Sequence, residues 1–158
     1  MKNFVGNEIM YLHSPDINVC FKVRIDINLP ADVFQNAVKM VEHKHPMLKY
    51  VIKTNDDGQK YYEASGGVSI QFYMADKMDW QKWRDETDNI PFKFENESLV
   101  KIAVIQGNGY SDIVFLGHHI LAGNYTTVII TAAIASVVVI FVLLFRKKII
   151  AKIIDDSQ

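Results

Sequence analysis

At 158 residues and 18.1 kDa the chain has room for one ordinary domain, or for a small domain with an attachment. A net charge of −1 argues against a protein that binds nucleic acid by neutralising phosphates. The single cysteine, Cys20, excludes an internal disulfide framework and a multi-cysteine zinc site. Average composition is that of a soluble protein, but every Asp, Glu, Lys and Arg lies outside residues 113–145. The sequence therefore divides into a water-compatible head and an oily tail.

The first element is residues 18–28 (NVCFKVRIDIN), where Val19, Phe21, Val23, Ile25 and Ile27 alternate with mostly polar residues, a half-buried strand. Pro30-Ala31-Asp32 opens a helix with proline in its first turn. Val33, Phe34, Ala37, Val38, Met40 and Val41 supply its apolar side. His43-Lys44-His45-Pro46 ends it, because the residue before a proline leaves helical space. The HxH at this end lacks i, i+4 alignment and a supporting carboxylate cluster, so it reads as surface or capping histidines rather than a metal site.

Strands are expected over 48–53 and 59–64, joined through the turn signal Asn55-Asp56-Asp57-Gly58, and again over 68–74. Residues 79–89 (DWQKWRDETDN) read as a short helix capped by Asp79, with Trp80 and Trp83 on one side. Trp80, Trp83, Phe92 and Phe94 are expected to anchor that helix on a sheet. Two further strands, 98–105 and 112–120, are joined through Gly107-Asn108-Gly109. The order β-α-β-β-β-α-β-β gives an α+β fold with a mixed or antiparallel sheet and two helices. No GxSxG, Walker or GxGxxG pattern occurs.

Residues 126–145 (TTVIITAAIASVVVIFVLLF) carry no charge, Gly, Pro or Asn. As a helix they would be about 30 Å long, the thickness of a bilayer's hydrocarbon layer. Their 13 Val, Ile, Leu and Phe residues favour insertion by about 4–8 kcal/mol. Two buried strands or a soluble core helix are the alternatives, but AAIAS is a poor turn and no polar face is visible. A transmembrane helix over 126–145 and a basic juxtamembrane tail over 146–158 are therefore expected. Arg146-Lys147-Lys148 would lie at headgroup level, followed by an interfacial extension or a simple stop-transfer cluster. The positive-inside rule would put Arg146-Lys147-Lys148 in the cytoplasm and the head outside, whereas residues 1–15 do not resemble a signal peptide, which favours a single-pass protein with a cytoplasmic head.

His118-His119 closes the last expected strand. Neighbouring strand residues face opposite sides, so the pair cannot readily chelate one metal. One imidazole could sit in the core while the other faces a cleft as a general base. Chemistry alone leaves packing and catalysis both open, packing being the commoner role.

Taken in order, the EHKHPMLKYVI helix end, the IPFKFENESLVKIAVI segment and DIVFLGHHILAGN resemble the N-terminal part of condensation domains of non-ribosomal peptide synthetases. They likewise resemble related alcohol acyltransferases, members of the chloramphenicol-acetyltransferase-like superfamily. The family's "ERHPxLR" stretch is matched by residues 42–49, and its "PFDxxxxPLxR" segment by Pro91-Phe92-Lys93-Phe94 and Leu99-Val100-Lys101. Its HHxxxDG motif corresponds to residues 118–124, with Gly123 at the Asp position and Asn124 at the following Gly.

The resemblance spans residues 1–123 and implies half of a chloramphenicol-acetyltransferase-like fold. It implies catalytic roles for His119, as the base that assists attack on an acyl thioester, and for His118 beside it. It also implies no cofactor, with acyl-CoA or a phosphopantetheine-carried acyl group as substrate. Family members run to roughly three times this length, with two lobes around a tunnel. A truncated lobe is therefore expected to be inactive alone, or to depend on a second condensation-like lobe, a homodimer or an acyl carrier protein. The alternative is a non-catalytic single-pass membrane protein with a partner-binding head. Either way an isolated head (1–122) should self-associate.

Overall fold

The computed structural model describes residues 3–4, 18–118 and 120. The expected transmembrane helix (126–145), the juxtamembrane tail (146–158), His119, Gly123 and Asn124 all lie outside them. Among the described residues no helix is long and apolar enough to cross a membrane.

The chain runs β1 (Asn3–Phe4), β2 (Asn18–Ile25), α1 (Ala31–Lys44), a 3₁₀ turn (Pro46–Lys49), β3 (Val51–Thr54), β4 (Lys60–Glu63), β5 (Ser69–Met74), α2 (Trp80–Asp88), β6 (Val100–Gln106) and β7 (Ser111–His118). The α+β class with two helices is as expected. The strands form two sheets, of order β1-β4-β3 and β2-β7-β6-β5. The larger one is mixed: β5 runs parallel to β6 across the α2 crossover, while β7 is antiparallel to both β6 and β2.

Alternation decides what each face of the larger sheet carries. Val100, Ile102, Val104, Ile113 and Phe115 turn toward α1, whose Phe34, Val38 and Val41 recur at helical spacing and meet them in one apolar cluster. Ala103, Ile105, Val114 and Leu116 turn the other way, onto Trp83 of α2 and Phe92. Covered on both sides, β7 is buried at every position. Met40, expected on the apolar side of α1, is 45% exposed, beyond the edge of that stripe.

Both helix ends follow local chemistry. Asp79 Oδ1 accepts hydrogen bonds from the backbone N–H groups of Gln81 and Lys82, each at 2.9 Å, capping α2. At the end of α1 the N–H of His45 donates to the Val41 carbonyl (2.8 Å), and Pro46 then prevents continuation.

Several strand limits differ from expectation, among them the strand expected from 98, which begins at Val100. The strand expected over 48–53 begins only at Val51. Pro46 presets a tight turn in which Leu48 N–H donates to His45 O and Tyr50 N–H to Met47 O. The first strand stops at Ile25 rather than residue 28. There Ser111 Oγ donates to Ile27 O and accepts from Leu29 N–H, both at 2.9 Å, turning the chain toward α1. The last strand stops at His118 instead of 120. The hairpins were read correctly, with Gly58 and Gly109 each at φ +79°, open to glycine at no steric cost.

Candidate functional site at the end of β7

His118 is the final residue of β7 and only 3% exposed. It sits opposite Asn18 of β2, so both side chains project on the α2 side with Leu116 and Cys20. Its backbone N–H donates to Leu99 O at 2.9 Å. The imidazole stands across two phenyl rings. Its centroid is 5.6 Å from Phe92 and 5.1 Å from Phe94, at interplanar angles of 79° and 84°. Phe92 and Phe94 are stacked on each other within 20° of parallel. The sequence reading gave these two rings to the α2–sheet contact. Both do pack there, and both also stand edge-on to the histidine, a contact set by tertiary folding rather than local pattern.

Ile120 N–H donates to His118 Nδ1 at 3.2 Å. An accepting Nδ1 carries no proton, so in the neutral ring the proton is on Nε2. The bond spans the residue between them, and thus ties the chain on either side of position 119 to a ring fixed in the core. His119 itself lies outside the described residues.

The three stretches that carry the family resemblance meet here. Ser98 Oγ donates to the Leu48 carbonyl (2.7 Å) and accepts from Val100 N–H, joining the EHKHPMLK stretch to the PFKF segment. Ile52 N–H donates to Phe94 O (2.7 Å), fixing that segment to β3. Ile52, Leu99 and Ile120 close the space behind it, with Tyr62 donating from its hydroxyl to Ile120 O. Glu42 does local work: its Oε1 accepts from Val68 N–H at 2.7 Å, clamping α1 to the start of β5. His43 and His45 stay at the end of α1, His43 exposed.

Several polar residues on this face had no site role assigned from the sequence, Lys101 having been only a position of the family motif. Lys101 of β6 lies on the α2 side with its Nζ 4.4 Å from the Phe92 centroid and 3.9 Å from Glu97 Oε2. Burial lowers its ammonium pKa, Glu97 opposing and Lys93 adding to that shift. The signal available was a lone charge within the otherwise apolar run VKIAVI. Asn18 Nδ2 donates to Asp88 Oδ1 (2.8 Å), tying α2 to β2, and its buried Oδ1 has no partner among the described residues. On the same face Arg24 forms a two-pronged pair with Asp112 (2.7 and 2.8 Å), holding that carboxyl below the usual range. Burial pushes the Cys20 thiol up. Trp83 anchors α2 as expected, fully buried with its Nε1 donating to Gln71 Oε1. A shallow groove of about 360 Å³ between α1 and β5, lined by Val38, Glu42, Gly67 and Val68, shares no residue with the surroundings of His118.

The fold is similar to that of several solved structures. The starter condensation domain of the rhizomide synthetase superposes with a TM-score of 0.67 at 19% identity, over 82% of this chain and 34% of that one. The first condensation domain of the calcium-dependent antibiotic synthetase, in complex with a substrate analogue, gives 0.63 at 14%, over 75% and 33%. The chain has the fold of part of a condensation domain. A four-domain nonribosomal peptide synthetase bound to AMP and glycine matches at 0.62 and 18%, over 77% of this chain and 10% of that much longer one. The condensation-like chain thus spans about a third of the length of the condensation domains it matches. No family model matches it, and no curated protein matches it significantly.

Proposed function

We propose that this protein is a membrane-anchored, condensation-like lobe that contributes the general base for acyl transfer from a thioester to an amine or hydroxyl. The observation that carries this is the buried, tautomer-fixed His118 at the end of β7 in a condensation-domain fold, with a second histidine next in sequence. His118 is the positioning member and His119 the base. His119 takes the proton from the acceptor N–H or O–H as its nitrogen or oxygen attacks the thioester carbonyl. The new C–N or C–O bond forms, the C–S bond breaks, and the proton passes to the departing thiolate. General-base catalysis of this kind contributes about 10²–10⁴-fold.

The donor is an acyl group on CoA or on a carrier-bound phosphopantetheine. A base is effective only when both reactants are held within hydrogen-bond reach, so the lobe works with a second lobe that closes the tunnel and is inactive alone. Residues 126–145 span the bilayer, with the head in the cytoplasm and 146–158 at the interface. The Gly123 and Asn124 departures from the HHxxxDG pattern favour a second reading, a non-catalytic head that binds a partner.

The protein purified in mild detergent with its bound partners decides between them. Thiol release from an acyl thioester in the presence of an amine acceptor is expected to fall at least about 100-fold in His119→Ala. Equal rates would remove the catalytic role. Extraction by alkaline carbonate without detergent would contradict the anchor.

A further inference from the structure

We propose that Lys101 is a positioning residue which sets the Phe92 ring against His118, and through His118 the strand end from which His119 follows. The inference rests on the acyl-transfer reading above and deepens it. The two rings that stand against His118 are held differently. Phe94 is tied through its backbone, its carbonyl accepting from Ile52 N–H of β3. Phe92 is held through its ring: the Lys101 ammonium stands over that ring, 4.4 Å from its centroid, and His118 meets it at 79°.

Lys101 is an odd choice for this position on other grounds. It lies on the central strand β6, in line with Ala103 and Ile105, both of which are buried against α2. Its side chain is only 15% exposed, so its charge is largely withdrawn from water. A Leu or Met would fill the space without that penalty. What a cation adds is attraction to the negative face of the Phe92 ring, and Glu97 at 3.9 Å holds the cation over it. Glu97 is itself part of the turn carrying Phe92, since its N–H donates to Lys93 O at 2.9 Å. The chain Glu97–Lys101–Phe92–His118 is therefore continuous from the loop to the histidine.

The test uses the full chain in detergent micelles with labelled histidines, because ring currents from Phe92 report directly on the His118 imidazole. Lys101→Met keeps the volume and removes the charge. It is expected to move the His118 ring resonances while leaving exposed His43 unchanged. Lys101→Arg, which also carries a cation able to sit on an aromatic face, is expected to restore them. In the partner-bound preparation, Lys101→Met should lower kcat about tenfold, leave KM for the thioester within about twofold, and be rescued by Lys101→Arg. His118 resonances unmoved by Lys101→Met in a folded chain would overturn the proposal. Should Lys101→Met not fold, Glu97→Gln takes its place, with a smaller His118 shift expected and no shift counting against it. A wild-type preparation without thioester turnover, but with His118 still responding to Lys101, would sink the acyl-transfer reading and leave the coupling intact.

Discussion

The two faces of the four-stranded sheet are built from alternate residues of the same strands, and only one of them carries charged groups among its apolar residues. On the α1 face Val100, Ile102, Val104, Ile113 and Phe115 meet Phe34 and Val41 in an apolar cluster. On the α2 face the intervening residues include Lys22, Arg24, Lys101, Asp112 and His118, set among Trp83, Ala103, Val114 and Leu116. One face supplies folding free energy by area removed from water. The other spends some of that stability on buried polar groups whose geometry matters more than their energy. The same fold could have been built with apolar residues on both sides. That one side holds an imidazole against two stacked rings, with a cation over one of them, is the structural reason for assigning function to that side.

Substitutions can break this contrast. Phe34→Ala should cost about 3–5 kcal/mol and abolish a cooperative melt, since its ring is fully buried and meets Phe72 edge-on. Denaturant unfolding followed by tryptophan fluorescence checks it. On the α2 side, Asp79→Ala removes the two capping bonds of α2 and should cost about 1 kcal/mol, read as a lowered melting temperature with no change in slope.

Asp112→Asn should have the smallest effect, because solvent around the half-exposed Arg24 screens the pair. Its pH dependence is diagnostic. The Arg24 bonds depress the Asp112 pKa in the fold, so near and below pH ~4 the unfolded chain binds more protons. The pair's contribution is present above that range and is lost as pH falls through the folded-state pKa. Wild type and Asp112→Asn should therefore differ in melting temperature at neutral pH and converge in acid. A difference that persists in acid would mean the two residues differ in packing rather than charge.

Much of the scaffold was legible because its signals are local. The alternation NVCFKVRI marks a strand whatever it pairs with, Asp79 caps α2 within three residues of itself, and Pro46 stops α1 where it stands. The same locality explains the errors. MLKYVI alternates well enough to read as strand, but Pro46 converts its start to a 3₁₀ turn. The split into two sheets depends on pairings between distant residues that no periodicity encodes. At the site, the histidine pair was visible and the resemblance brought the right stretches forward. Their convergence was not visible, because Phe92 and Phe94 reach His118 across more than twenty residues of chain. Lys101, read only as a motif position, acquires meaning from the ring beneath it.

The central claim is that the histidine following this buried strand end acts as the base of an acyl transfer. Thiol release in a single turnover, followed together with the mass of the acylated acceptor, tests it most directly in the partner-bound protein. The account predicts stoichiometric release and acceptor acylation by wild type, with both lost in His119→Ala while the melting temperature is unchanged. Acylation that proceeds equally well without the His119 imidazole would contradict it.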